Sequence, residues 1–353
     1  MKLKGILVVT LCLLCTVAVF AQQGGQAQGG GAQGARGGQG GQGGGGGQQA
    51  AAQAPATETI APDIPGVVKG GTKVQIIKEG FSGTEGPIAL PNGDLLFTET
   101  NANKITKIDK DGKDSTFLEN TNGSNALAFD TKGRLISVQT TAGNTKIGVI
   151  YPKGSEAVLA DNFEGKPFIR PNDLVVDKKG GVYFTDFPLQ APAAGVTLPN
   201  TPAVYYVPAG GKPIRLAEGI DRPNGIQLSR DEKTLYVNNN SESLLAFDIN
   251  NDGTVKNKRN FAKYEGLIPN AQGVVASGAD GLAVDGSGHI YAATNVGVQV
   301  FDDKGKHVGT IPLSRAPQNL AFAGPDKKTL YIVGRGVAFK VQMLAAGFKD
   351  RAK

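Results

Sequence analysis

The chain of 353 residues carries 51 glycines but only two cysteines and two histidines, with a formal net charge of +6. Cys12 and Cys15 both fall at the extreme N-terminus, so the rest of the chain has no thiol nucleophile, zinc–thiolate centre or iron–sulfur cluster. The positive charge is spread thinly, with no basic run and no interleaving of basic and aromatic residues, which argues against a nucleic-acid partner.

Lys2 and Lys4 precede an apolar stretch over residues 5–20, and Val19-Phe20-Ala21 places small residues at the two positions read by signal peptidase. An export signal over residues 1–21 is expected, cleaved after Ala21, which puts the mature protein in the periplasm or outside the cell. The apolar run falls short of the roughly 20 residues of a membrane span. Leu13-Leu14 ahead of Cys15 are too bulky for a lipidated cysteine. Residues 22–65 are expected as a linker. They are almost pure Gly, Gln and Ala to about residue 54, with no apolar periodicity to bury, and then run through Ala61-Pro62-Asp63-Ile64-Pro65. An exported domain without disulfides must be stable through its core, and the roughly 330 residues left after cleavage are enough for one.

Over residues 66–345 one pattern recurs: a polar residue, an alternating apolar strand, a turn rich in Asp and Gly, and a second apolar strand. The six copies begin at Glu85, Asn125, Asn172, Asn224, Asp280 and Gln318, which lie 40, 47, 52, 56 and 38 residues apart. In the third copy, residues 172–177 and 182–186 read as a hairpin, with further strands over 203–207 and 214–217. Helical periodicity is absent, and six similar units favour radial repetition over a sandwich. The expected fold is all-β, a six-bladed β-propeller with four antiparallel strands per blade. After Gln318 there is room for three strands only, ending near Met343. The missing fourth is expected from Lys73-Val74-Gln75-Ile76-Ile77-Lys78-Glu79, which closes the ring without an open edge. Residues 346–353 remain as a C-terminal tail.

In a propeller the first strand of each blade lines the central channel, so Glu85, Asn125, Asn172, Asn224, Asp280 and Gln318 are expected on one ring around the axis. Asn and Asp at strand starts often serve only local turn bonds. Six oxygen-bearing side chains in register, with no hydrophobic residue among them, instead suit a hard cation.

Four segments carry a family resemblance: Thr84-Glu85-Gly86-Pro87, Arg170-Pro171-Asn172-Asp173, Arg222-Pro223-Asn224-Gly225 and Asp280-Gly281-Leu282-Ala283-Val284-Asp285. Over about residues 75–343 the chain resembles the SMP-30/gluconolactonase/LRE-like family of metal-dependent lactonases. The resemblance implies one divalent cation held by Glu85, Asn172, Asn224 and Asp280, with Ca²⁺ the first candidate and Zn²⁺, Mn²⁺ or Mg²⁺ as alternatives. It also implies Asp280 as general base, Arg170 as a substrate contact and a small-molecule lactone, a cyclic ester of a sugar acid, as substrate. Asn125, Asp173 and Gln318 complete the expected substrate surface, with Asp186 as a weaker candidate. Many sugar lactonases carry a His or Arg pair after the second strand of blade 2. Here that stretch reads Ser137-Val138-Gln139-Thr140-Thr141-Ala142-Gly143-Asn144, which leaves the particular lactone open. The competing reading is a non-catalytic secreted propeller that binds a protein or glycan around a structural metal. His289 and His307 are expected at the surface. No Gly-x-Ser-x-Gly elbow or Gly-Lys-Ser/Thr phosphate loop is present.

Overall fold

Each repeat folds into a hairpin because its turn chemistry is local. In the third unit Pro171–Val176 pairs antiparallel with Val182–Asp186. Between them Asp177 Oδ1 accepts the N–H groups of Lys179 and Gly181, both at 2.8 Å. Asp130 does the same for Lys132 and Arg134 in the second unit. Gly180 and Gly133 close these turns at φ +83° and +74°, a region open to glycine at little cost.

The computed structural model describes residues 54–188, 193–220, 222–269 and 271–352. The expected export signal and the Gly/Gln/Ala part of the expected linker lie outside them. Six antiparallel sheets form the blades of a propeller. Blade 1 is Thr84–Ala89, Leu95–Glu99, Lys104–Ile108 and Asp114–Glu119. Blade 2 is Ser124–Phe129, Leu135–Gln139, Lys146–Tyr151 and Ala157–Ala160. Blade 3 is Pro171–Val176, Val182–Asp186, Ala203–Val207 and Ile214–Glu218. Blade 4 is Ile226–Leu228, Thr234–Val237, Ser243–Ile249 and Val255–Lys263. Blade 5 is Leu282–Val284, Ile290–Thr294, Gly297–Phe301 and His307–Ile311. Blade 6 is Asn319–Ala323, Thr329–Gly334 and Val337–Gln342, completed by Lys73–Glu79 from the other end of the domain. Among the described residues there is no α-helix and no helix long and apolar enough to cross a membrane.

Two features exceed the sequence expectation. Thr59–Ile60 adds a fifth strand outside Lys73–Glu79, and Ala61, Ile64, Val67 and Val68 are buried in the apolar layer between blades 5 and 6. The Pro-containing stretch that was expected to lead into the domain is thus packed onto its closing blade. A short hairpin, Asn162–Phe163 with Lys166–Pro167, also bridges blades 2 and 3.

The core is the set of layers between neighbouring blades. Between blades 2 and 3, Phe184 stacks on Tyr205 with centroids 5.2 Å apart, and Phe168 meets both rings edge-on. His289, expected at the surface, is one-fifth exposed, with its Nδ1 2.7 Å from Asp285 Oδ2. Asp285 Oδ2 also accepts the Tyr291 hydroxyl, so this histidine serves the fifth blade's turn.

The C-terminal tail crosses the mouth of the channel at the far ends of the inner strands. Phe348 N–H donates to Val284 O in blade 5, and Ala89 N–H in blade 1 donates to Ala352 O. Arg351 reaches Gln227 Oε1, Leu228 O and Ser229 O in blade 4. The tail therefore ties blades 1, 4 and 5 across the channel. Deleting residues 346–353 removes these bonds, each contributing roughly 1 kcal/mol net, against the regained chain entropy. A melting temperature lower by about 5 °C is expected. A calorimetric scan of the truncated protein beside the full chain checks this.

Candidate functional site

The ring expected from the repeat is closed in the structure, and a named hydrogen bond makes each joint. Thr98 Oγ1 of blade 1 donates to Asn125 O at 2.6 Å, and Asn125 Nδ2 donates to Asn172 O at 2.8 Å. Thr185 Oγ1 donates to Asn224 O at 2.7 Å, and Asn238 Nδ2 to Asp280 O at 2.5 Å. Gly281 N–H donates to Gln318 O at 2.7 Å. The last joint spans the whole domain, with Gln318 Nε2 and Asn319 Nδ2 donating to the two oxygens of Glu85 at 3.3 and 3.2 Å. Glu85, Asn125, Asn172 and Asn224 are buried, while Asp280 and Gln318 are half-buried.

The position after each ring residue sets how closely the blades approach. A Cβ on Gly86 would lie 2.2 Å from Asn125 O, and one on Gly225 would lie 1.9 Å from Asp280 O. In blade 3 the corresponding residue is Asp173, fully buried, whose Oδ1 accepts Leu174 N–H and whose Oδ2 accepts Ile226 N–H of blade 4. Asp173, Asn125 and Gln318 all use polar atoms to tie neighbouring strands or blades. Gln318 Oε1 also accepts Arg335 N–H at 2.7 Å.

Arg170 stands at the ring's edge. Burial pushes its guanidinium below its usual value, while the carboxylates of Glu85 and Asp280 pull it back up, so its charge belongs to the same site as theirs. Its Nη1 is shielded from solvent and makes no hydrogen bond. The backbone carrying it is held by Asp186, a completely buried carboxylate that accepts Arg170 N–H at 2.7 Å and Ile169 N–H at 2.9 Å. Burial pushes the Asp186 carboxyl up to about 6 against the two N–H bonds that favour its ionised form. A folded-state value above the unfolded one of about 4 means that stability from this group is present in acid and lost as pH rises towards 6. Asp186→Asn is expected to flatten the dependence of melting temperature on pH between 4 and 6. It should also raise KM for substrate roughly 10-fold at pH 7, because the asparagine's N–H₂ faces one of the amides it must hold. Scans across this pH range, with KM and kcat at pH 7, test both effects.

Two supports were not visible as candidates in the sequence. Asn238 pairs its backbone with Asn224 and Gly225, donates its side chain to Asp280 O, and accepts the hydroxyl of the buried Tyr264 on its Oδ1. It therefore holds two ring residues at once. Arg222 stacks over Phe187 with its guanidinium 5.3 Å from the ring centroid. The repeated Arg-Pro-Asn of blades 3 and 4 was the signal that could have marked it beside Arg170.

The donor chemistry of the ring fits a hard divalent cation. Glu85 and Asp280 supply carboxylates and Asn172 and Asn224 supply carboxamides, all of them oxygen donors. Among the described residues no group of three or more His, Cys, Asp or Glu side chains is placed to hold a metal, so the mixed acid–amide set is the relevant one. Asn224 Oδ1 is shielded from water and accepts no hydrogen bond, a costly state for an amide oxygen that a cation would relieve.

Comparison with known proteins identifies the family of the chain. Residues 83–335 match the family described as SMP-30/Gluconolactonase/LRE-like region. The chain is 28% identical over 305 residues to a gluconolactonase of Zymomonas mobilis, covering 77% of this chain and 82% of that one. It is 29% identical over 249 residues to lactonase drp35 of Staphylococcus saprophyticus, covering 67% and 72%. A solved gluconolactonase from Xanthomonas campestris superimposes with a TM-score of 0.69 at 27% identity, over 82% of this chain and 99% of that one. A calcium-binding regucalcin from Agrobacterium tumefaciens shares the fold with a TM-score of 0.64 at 19% identity, over 78% and 95%.

Proposed function

Since the chain belongs to the SMP-30/gluconolactonase/LRE-like family, we propose that it hydrolyses a lactone at the mouth of the channel where Glu85, Asn172, Asn224, Asp280 and Arg170 meet. The observation that carries this reading is the convergence on one mouth of two carboxylates, the orphaned Asn224 Oδ1 and the buried, unbonded Nη1 of Arg170. A divalent cation held by Glu85, Asn172, Asn224 and Asp280 supplies Lewis-acid polarisation of the ester carbonyl. The all-oxygen donor set favours Ca²⁺.

The chain's own groups perform the remaining work. Asp280 accepts the proton of the attacking water at a carboxylate oxygen. Arg170 Nη1–H donates to the substrate, and its burial strengthens that bond by keeping water away. Asp186 fixes where Arg170 stands through the two backbone N–H groups it accepts. Asn125 and Asp173 hold the ring's spacing from beneath, and the half-buried Gln318 borders the site where the lactone rests. The substrate is a small cyclic ester of a sugar acid, and the enzyme works after export, with residues 1–21 removed.

The test is acid release from a panel of sugar and aliphatic lactones by the purified domain, before and after chelation. Turnover lost on chelation and restored by Ca²⁺ in preference to Mg²⁺ is the expected result. Turnover indifferent to chelator would overturn the cation's part. No turnover across the panel would overturn the lactone reading.

A further inference from the structure

The channel's other mouth, at the far ends of the inner strands, opens into a cavity of ≈ 970 Å³ walled on one side by the C-terminal tail. Six basic side chains line it: Lys178, Arg230, Lys327, Lys328, Lys349 and Arg351. Among the described residues none of the six forms an ion pair with a carboxylate. Of the five lining acids, Asp350 lies in the tail beside Lys327 and Arg351, and the other four are engaged elsewhere. Asp130 pairs with Arg134, and Asp177 accepts two backbone N–H groups and the Tyr206 hydroxyl. Glu232 accepts Lys178 N–H and Asp326 accepts Lys328 N–H.

Two of the cations are largely withdrawn from water. Lys327 Nζ donates to the tail carbonyls Phe348 O and Arg351 O, which leaves the third of its N–H bonds unassigned. The two guanidinium nitrogens Nη1 and Nη2 of Arg351 donate to amide and backbone oxygens, while its Nε is shielded and unbonded. Beside it, Gln227 is completely buried, and its Nε2 also lacks an acceptor. Burial pushes Lys327 down to about 8, and the nearby Arg351 charge adds to that; burial likewise pushes Arg351 down to about 10. The Asp350 carboxylate pulls both values back up, and Glu232 that of Arg351, but neither acid closes to an ion pair with these cations, and buried donors without acceptors are costly.

We propose that this cavity is a binding site for a phosphate group, held by Lys327 and Arg351 at its base and by Arg230 at its rim. A phosphate offers several acceptor oxygens and up to two negative charges, which matches donors that converge from the tail and from blades 4 and 6. The cavity has room for much more than the ion, so the group is either free phosphate or the head of a small phosphomonoester. The site lies apart from the ring, and the proposal stands whether or not a lactone is the substrate there.

The test is the melting temperature of the full chain against inorganic phosphate and against a sugar phosphate, with NaCl holding ionic strength constant. Calorimetric titration of the same two probes accompanies it. A saturable rise in melting temperature is expected, with affinity at least 10-fold weaker in Lys327→Gln and several-fold weaker in Arg230→Gln. Arg230→Gln changes an exposed residue and so answers the question if Lys327→Gln folds poorly. Tighter binding of the sugar phosphate would identify a phosphomonoester, and equal binding the free ion. No saturable shift beyond the NaCl control overturns the proposal. So does binding that survives both substitutions but disappears in Arg170→Gln, because the phosphate would then sit at the ring.

Discussion

Asp280→Asn is expected to lower kcat for lactone hydrolysis about 10³-fold while leaving the melting temperature within a few degrees. A positioned general base contributes roughly 10² to 10⁴ to the rate, and this substitution removes the proton acceptor while keeping the side chain's shape. Asp280 is half-buried, and its backbone carbonyl is held by Asn238 whatever the side chain is, so the ring should survive. Glu85→Gln makes the informative contrast. Glu85 accepts from Gln318 and Asn319 and lends its charge to the same site, but it has no assigned proton to carry. Its loss should weaken the cation's hold, so excess Ca²⁺ should restore much of the turnover of Glu85→Gln and little of that of Asp280→Asn. Steady-state kinetics of both variants over a range of Ca²⁺ decides the matter. Equal rescue would remove the base from Asp280.

Gly225→Ala is expected to cost more stability than any single polar change in the ring. The added Cβ would lie 1.9 Å from Asp280 O, 2.8 Å from Asp280 C and 2.9 Å from Gly281 Cα. All three are backbone atoms of the next blade's inner strand, so no side chain can swing aside. Relief requires blades 4 and 5 to move apart by about 1 Å at the ring, and overpacking of that kind costs about 3 kcal/mol or more. The melting temperature should fall by about 5 °C or more, and turnover should fall with it because Asn224 and Asp280 flank the clash. Gly286→Ala is the control. Its Cβ would meet only Ala346 O, at the ordinary contact distance of 3.4 Å, and its melting temperature should stay within about 1 °C. Paired melts of the two variants, with turnover measured on each, give the comparison.

The repeat and the ring were legible in the sequence because both are written in short-range patterns. Asp177 and Gly180 fall three residues apart and make their own turn, so the hairpin of blade 3 needs nothing distant. The six polar residues were recognisable as one column because each precedes the same apolar strand. The closing strand could be inferred by counting, since a blade with three strands leaves an open edge.

What the sequence left dark depends on contacts between residues far apart in the chain. Glu85 meets Gln318 and Asn319 across separations of 233 and 234 residues, and the Arg315 guanidinium reaches Ala54 O across 261. No local period encodes such pairs. Asp186 looked like a peripheral acid at a strand end, yet its complete burial under two backbone N–H groups makes it the support of Arg170. The tail after Met343 shows no strand pattern, and only the assembled channel brings Arg351 to the blade 4 carbonyls it bonds. Turn chemistry and alternation, which act within a few residues, fixed the blades and the identity of the ring. The closeness of neighbouring blades, the burial of individual charges and the covered second mouth arise only when six blades close on themselves, because burial and cross-blade bonding belong to the closed ring.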